Sequence, residues 1–172
     1  MKENTRVTIV GAGISGLVCA IALQRQNIPV TVLEQADTLA PVGAGLSLWP
    51  NALHALEALG LSEAVIAAGA RLQKGHIRQP DGRVLSVMGT VGLERRTGMP
   101  CVMIHRAALH DLLLNALSEG TVRTGCKVAQ VISIGDDGKP VGLRLEDGSE
   151  YQADLLIAAH GAMASGAYRI AG

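Results

Sequence analysis

The sequence predicts an α/β fold, a parallel βαβ core with antiparallel strands inserted into it. Three observations carry that prediction. A β-branched run at residues 7–10 leads into Gly11-x-Gly13-x-x-Gly16, then a helix-period apolar stretch, then a second strand that ends in Glu34. Asp-Gly pairs at residues 81–82, 137–138 and 147–148 lie between short apolar runs, a hairpin signature. A continuous apolar run at 155–159 has the composition of a strand returning to a buried parallel sheet.

The first observation has the tightest physical logic. Val7, Thr8, Ile9 and Val10 suit a strand buried on both faces. Gly11 permits the sharp turn from strand to helix. Gly13 lets a pyrophosphate approach the backbone, and Gly16 lets the helix pack closely on the strand. Leu17, Val18, Ala20, Ile21 and Leu23 form the apolar side of a helix over 14–26. The N-terminus of that helix offers free N–H groups and a positive dipole end to phosphates. The second strand, 29–33, delivers Glu34 18 residues after Gly16. A carboxylate there accepts hydrogen bonds from a ribose 2′-OH and repels a 2′-phosphate. The unit is therefore Rossmann-like and suits FAD or NAD over NADP. A structural βαβ unit, with glycines serving only tight turns, is the plain alternative.

Residues 35–41 read as a polar loop. Gly43 and Gly45 make a flexible segment suited to close approach. Residues 43–47 either lie against the cofactor or simply lead into a helical hairpin. Pro50 suits a first helical turn, with Leu53, Ala55, Leu56 and Leu59 on its apolar face and Gly60 as its C′ residue. A second short helix, 61–68, takes Ser62 as N-cap and turns Val65 and Ile66 inward. Strands 76–79 and 83–88 flank Pro80-Asp81-Gly82, and 89–100 reads as a loop carrying Arg95 and Arg96. A strand at 101–104 and a helix at 106–118 follow, with Leu109, Leu112, Leu113, Ala116 and Leu117 on or near one face. Residues 121–124 and 127–134 are strands. Turns at 136–139 and 146–149 continue them through 141–145 and 150–152 as a β-meander.

Composition narrows the function. Formal charge is zero, with 15 acids against 15 Lys plus Arg, which argues against nucleic-acid and anionic-membrane partners. Phe is absent and aromatics are 2%, which excludes an aromatic platform for single strands. The apolar share, 48% of 172 residues, supplies a core for one domain or somewhat more. No run reaches the ~18 apolar residues of a membrane span. MKENTR enters the first strand without the apolar region of a signal peptide. Cys19, Cys101 and Cys126 lack metal or C-x-x-C spacing, so reduced thiols in a cytoplasmic protein are expected. His54, His76, His105, His110 and His160 show no i, i+4 pairing with an acid, so no metal is expected. Ser15 and Ser47 lack the G-x-S-x-G frame of a hydrolase. Arg106 opens a helix, where the dipole favours anions, so a surface carboxylate or a bound phosphate is its expected partner.

Taken together, VTIVGAGISGL with Glu34, PVGAGLSLWPNALHALEALG, IHRAALHDLL and ADLLIAAHG resemble the FAD-dependent aromatic-ring hydroxylases. These are single-component flavoprotein monooxygenases of the p-hydroxybenzoate hydroxylase type. VGAGLSLWPN, and the order ERRTGMP then HRAALHDLL, are most similar to the branch of urate, salicylate and 3-hydroxybenzoate hydroxylases and zeaxanthin epoxidase. The resemblance runs over residues 7–161. It implies an FAD-binding core with Gly11, Gly13, Ser15 and Gly16 on the pyrophosphate. Glu34 would meet the adenosine ribose, and the adjoining Gln35 would also be cofactor-binding. Ala44, Gly45 and Ser47 would lie along the cofactor, Arg106 at its ribityl–phosphate region and Val128 beside the adenine. It implies NAD(P)H as reductant and dioxygen as co-substrate, with a flavin C4a-hydroperoxide that hydroxylates a small aromatic or heteroaromatic substrate. No catalytic residue is assigned.

On this reading residues 1–75 hold the βαβ unit and helices, and 76–100 a hairpin reaching toward the substrate layer. Residues 101–161 hold the helix, meander and return strand, and 162–172 an irregular tail. There are departures. His160-Gly161 stands where the family carries Asp-Gly, so an imidazole replaces an acceptor-only anion. Ser165 and Arg169 fall later than the family pattern. The 172 residues end before the family's substrate sheet and second flavin motif of G-D-A form. The fold is therefore expected to be incomplete, the isolated chain to lack normal turnover, and the final strand to invite self-association. The competing readings are an inactive FAD- or nucleotide-binding module and a dehydrogenase of the same superfold. The Arg106 segment and the meander favour the hydroxylase lineage; His160 favours the inactive module.

Overall fold

A computed structural model describes residues 5–39, 43–133 and 141–161. The chain opens with β1 (Val7–Val10), α1 (Ile14–Arg25) and β2 (Val30–Leu33). Then come β3 (Gly45–Leu48), α2 (Pro50–Ala58), α3 (Ser62–Ala68), β4 (Ala70–Arg71), β5 (Lys74–Arg78), β6 (Val84–Gly89), α4 (Val91–Thr97), β7 (Val102–His105) and α5 (Arg106–Asn115). The remainder is β8 (Val122–Arg123), β9 (Val128–Ser133), β10 (Val141–Leu145), β11 (Glu150–Ala153) and β12 (Leu155–Ala158). These elements form two compact units, Met1–Ala40 with Leu113–Gly172, and Pro41–Leu112.

The first unit is built on a parallel sheet of order β12-β1-β2-β8. β1 pairs Val7 with Val30 on one side and with Leu155 on the other. All four β1 residues are buried, which is why the sequence there is uninterrupted by polar residues other than Thr8. α1 buries Gly16, Leu17, Ala20 and Ile21, one stripe of the helix. It closes through Asn27, whose φ of 57° is a left-handed conformation that Asn tolerates, while the Ile28 N–H donates back to the Leu23 carbonyl. The backbone of Arg6 exchanges hydrogen bonds with Asp154, fastening the start of β12 to the start of β1.

The meander β9-β10-β11 is antiparallel, and its Val131, Leu143 and Leu145 pack with Val10 and Leu33 of the parallel sheet. Its second turn carries Gly148 at φ +86°. There Asp147 accepts hydrogen bonds from the Ser149 hydroxyl and N–H, which hold its carboxyl below the usual carboxylate range. The expected turn at 136–139 lies outside the described residues. Two expectations are corrected in this unit. β8 joins the parallel sheet beside β2, not the meander, because its Val122 and Arg123 pair with Val32 and Leu33. β12 is parallel as expected but is not buried: it has β1 as its one partner among the described strands, and Leu155 is 45% exposed.

In the second unit β7 lies between β3 and β4, and β5 pairs with β6 as a hairpin turned by Gly82. The segment expected to be flexible at 43–47 is largely the strand β3, held by its ladder to β7. α2 starts at Pro50 and ends into Gly60 at φ +67°, as expected. The cap of α3 is Leu61, not Ser62; Ser62 is buried inside the first turn. The expected loop at 89–100 contains α4. It buries no residue, so it has no apolar stripe to reveal it; its marks are Glu94 in the first turn, cations in the last turn and Gly98 at φ +75°. Every residue of β6 is exposed, Leu85, Val87 and Met88 among them.

Leu143 is fully buried at the meander core, whereas Leu85 is 56% exposed. In urea unfolding, Leu143→Ala is expected to lose about 2–5 kcal/mol and Leu85→Ser to stay within about 0.5 kcal/mol. Equal losses would show that the hairpin belongs to a core of its own.

Candidate functional site

The loop between β1 and α1 is shaped by what its glycines exclude. Gly11 has φ +108°, and a Cβ there would lie 2.7 Å from the Ala159 carbonyl oxygen and 2.9 Å from the His160 Cα. A Cβ on Gly16 would sit 1.9 Å from the Gly11 carbonyl oxygen. Neither clash can be relieved by turning a side chain, because the atoms met are backbone. Gly13 is the opposite case: a Cβ there meets nothing within 4 Å. It is the N-cap of α1, no side chain caps the helix, and no acid lies in its first turn. The positive end of a 12-residue helix is therefore left without a side-chain cap or an acid, and among the described residues nothing crowds the Gly13 Cα, the kind of donor set an anionic pyrophosphate requires. Ser15 is exposed in that first turn.

Glu34 ends β2 beside this loop. One carboxylate oxygen accepts the Ala12 N–H at 2.8 Å, and the other accepts the Ala36 N–H at 3.0 Å. The acid expected to read a ribose thus also splints the glycine loop to the segment after β2. Each oxygen still has a lone pair for a ligand hydroxyl, since an ionised carboxylate has about four acceptor positions. The Glu34 carbonyl in turn accepts the Cys126 N–H, and the Arg123 carbonyl accepts the Glu34 N–H. Gln35 is exposed next to it. Val128 opens β9 and packs on the core formed by Val10, Leu33 and the meander. These residues belong to the first unit.

The second unit brings Ala44, Gly45, Ser47 and Arg106 together. β3 and β7 pair Gly45 with His105 and Ser47 with Met103. The Arg106 N–H donates to the Ala44 carbonyl at 3.2 Å, and a Cβ on Gly43 would lie 2.9 Å from the Arg106 Cβ. The arginine stem therefore lies against a glycine that has to be one. Among the described residues the exposed guanidinium has no carboxylate or carbonyl partner. The surface ion pair that sequence reasoning held open for it is not formed there.

The other polar candidates have structural uses. His54 lies between the Glu57 carboxylate and the Thr97 carbonyl. Glu94 of α4 pairs with Arg71. Burial pushes the Cys19 thiol up; burial, and then the Glu94 carboxylate, does the same to Cys101, so both remain thiols at neutral pH. Among the described residues no cluster of three His, Cys, Asp or Glu side chains is placed to hold a metal. No helix among them is long and apolar enough to cross a membrane. Sequence reasoning missed the packing of Ala159 and His160 on Gly11, because it joins residues far apart in the chain. It also missed Met103, whose only signal was its outward position in an alternating strand.

Comparison with known proteins identifies the family. A family described as the FAD binding domain matches residues 4–169. The aurachin C monooxygenase/isomerase of Stigmatella aurantiaca is 39% identical over 161 residues, covering 94% of this chain and 41% of the relative. The 3-hydroxybenzoate 6-hydroxylase 1 of Aquipseudomonas alcaligenes is 35% identical, covering 92% of this chain and 41% of the relative. HpxO of Klebsiella pneumoniae, solved in complex with FAD and uric acid, superposes with a TM-score of 0.82 at 28% identity, covering 94% of this chain and 40% of that one. The chain spans about two-fifths of the length of the relatives it matches.

The two kinds of glycine separate by stability. Gly16→Ala is expected to cost more than about 3 kcal/mol, beyond the usual range for a point change. Gly13→Ala, in ordinary backbone and open space, is expected to stay within about 1 kcal/mol. Thermal unfolding of both variants checks this; a Gly16→Ala variant as stable as the parent would mean the loop is not packed as described.

Proposed function

We propose a function from one starting fact: the chain belongs to the FAD-binding-domain family of the FAD-dependent aromatic-ring hydroxylases. On our reading it supplies the cofactor-holding part of an NAD(P)H-dependent flavoprotein monooxygenase acting on a small aromatic or heteroaromatic substrate with dioxygen. The observation that carries the reading is the uncapped start of α1 beside the open space at Gly13, with the Glu34 carboxylate fixed next to it.

Each residue has a distinct task in this proposal. The first-turn N–H groups, with Ser15, bind the pyrophosphate; Gly11 and Gly16 keep the loop low enough for them to be reached. Glu34 accepts from the ribose hydroxyls while the Ala12 and Ala36 N–H groups hold it in place, with Gln35 alongside. Val128 offers backbone to the adenine. Ala44, Gly45 and Ser47 lie along the cofactor, and Arg106 gives its guanidinium, which has no carboxylate or carbonyl partner among the described residues, to the phosphate or ribityl region. FAD, when bound, supplies the redox chemistry by taking electrons from NAD(P)H and using dioxygen to hydroxylate the substrate. Three free thiols support a cytoplasmic setting. A second reading, an FAD- or nucleotide-binding module without turnover, is favoured by His160: its Cα stands 2.9 Å from the position of a Gly11 Cβ, where the family has an anion.

Titrating the chain with FAD is expected to give a protein-bound flavin absorbance. Arg106→Ala is expected to weaken it about ten- to a hundredfold, the worth of a charged hydrogen bond of roughly 1.5–3 kcal/mol. A folded chain that takes up no flavin overturns the reading; unchanged affinity removes Arg106 from the site. The exposed Leu155 on β12 supports self-association, so size-exclusion chromatography is expected to show species larger than a monomer. A clean monomer at all concentrations argues against it.

A further inference from the structure

One side chain reaches both of the β3 residues assigned to the cofactor, Gly45 and Ser47. Met103 stands directly opposite Ser47 in the β3–β7 ladder. The Ser47 hydroxyl donates to the Met103 sulfur at 2.8 Å. The terminal methyl of the same methionine lies 4.0 Å from the position of a Cβ on Gly45. Burial does not explain the arrangement. β7 turns Val102 and Ile104 inward, whereas Met103 is 39% exposed and Ser47 is exposed with it. The methionine reaches across the outer face of the sheet and lies along β3.

The chemistry of that contact has a direction. A serine hydroxyl has one proton to donate and lone pairs to accept with. When its O–H donates to the thioether, what it offers outward is acceptor capacity alone. A thioether is a weak acceptor on a flexible, apolar stem, so it orients the hydroxyl without surrounding it with competing polar atoms. We propose that Met103 is a positioning residue for Ser47: its sulfur accepts the hydroxyl's hydrogen bond and so leaves the Ser47 oxygen turned outward as an acceptor for an N–H or O–H donor on the bound cofactor. The assignment of β3 to FAD is the reading given above, and the proposal rests on it for the identity of the ligand. The positioning of Ser47 by Met103 is a property of the cofactor-free chain and is tested separately.

Met103→Leu keeps the volume and removes the sulfur acceptor. In the cofactor-free chain, NMR couplings between the α and β protons of Ser47 are expected to report one rotamer in the parent and averaged rotamers in the variant. Met103→Ile is the second variant should the leucine fail to fold. Met103→Gln, whose amide oxygen accepts, is expected to restore the single rotamer. In FAD titrations, Met103→Leu is expected to bind about three- to tenfold more weakly and to alter the bound-flavin absorbance. Ser47→Ala combined with Met103→Leu is expected to be no weaker than Ser47→Ala alone. Unchanged Ser47 couplings in Met103→Leu overturn the proposal, as do losses that add in the double variant. Averaged couplings in the variant of a chain that takes up no FAD would sustain the positioning of Ser47 and overturn the FAD reading instead.

Discussion

The first unit depends on a steric constraint: the carbonyl oxygen of Gly11 occupies the place where a side chain at residue 16 would begin. That proximity pulls α1 onto β1, lets Leu17 and Ile21 reach the core, and leaves a gap against Gly11 that the backbone of Ala159 and His160 fills. The tight packing behind the loop and the reachable N–H groups in front of it are the same feature seen from two sides. A parallel sheet offers ligands the C-terminal ends of its strands. Here those ends carry the glycine loop, Glu34 and the turn after β12.

Glu34 is a structural part of this arrangement. Its two backbone hydrogen bonds are charge-assisted, and charge-assisted bonds are stronger than neutral ones. A glutamine in its place would keep the shape but turn one acceptor into a donor facing an N–H. The residue type is thus demanded by the loop before any ligand arrives. An acid at this spacing in a sequence therefore carries structural as well as functional information.

The parts of the fold legible in the sequence were those with a local cause. The run Val7–Val10, the glycine spacing, Pro50 at a helix start and Gly60 at a helix end each act over a few residues, and the structure has them where the pattern placed them. The illegible parts had causes elsewhere in the chain. α4 buries nothing, so no periodicity betrays it. β8 is two residues long, and its membership of the parallel sheet is decided by β2, nearly ninety residues earlier. Ser62 has the right chemistry for a cap, but the backbone enters the helix one residue sooner and takes it inside. The site divides in the same way. The glycine loop and Glu34 could be read directly. The grip of Arg106 on Gly43 and the cover of Met103 over Gly45 exist only because β3 and β7 pair.

The union of β1 with β12 also sets an order of events. Arg6 and Asp154 are bonded across 148 residues, and the whole second unit lies between them in the chain. A ribosome adding about 5–20 residues per second needs on the order of ten seconds to cover that distance. Throughout it, one edge of the buried strand β1 has no neighbour. Such long-range closure slows folding and leaves an edge open to wrong pairing, so a nascent chain has reason to finish Pro41–Leu112 early and to shield β1 until β12 emerges. The glycine loop at the start of the sequence is therefore among the last parts of the molecule to reach its working shape.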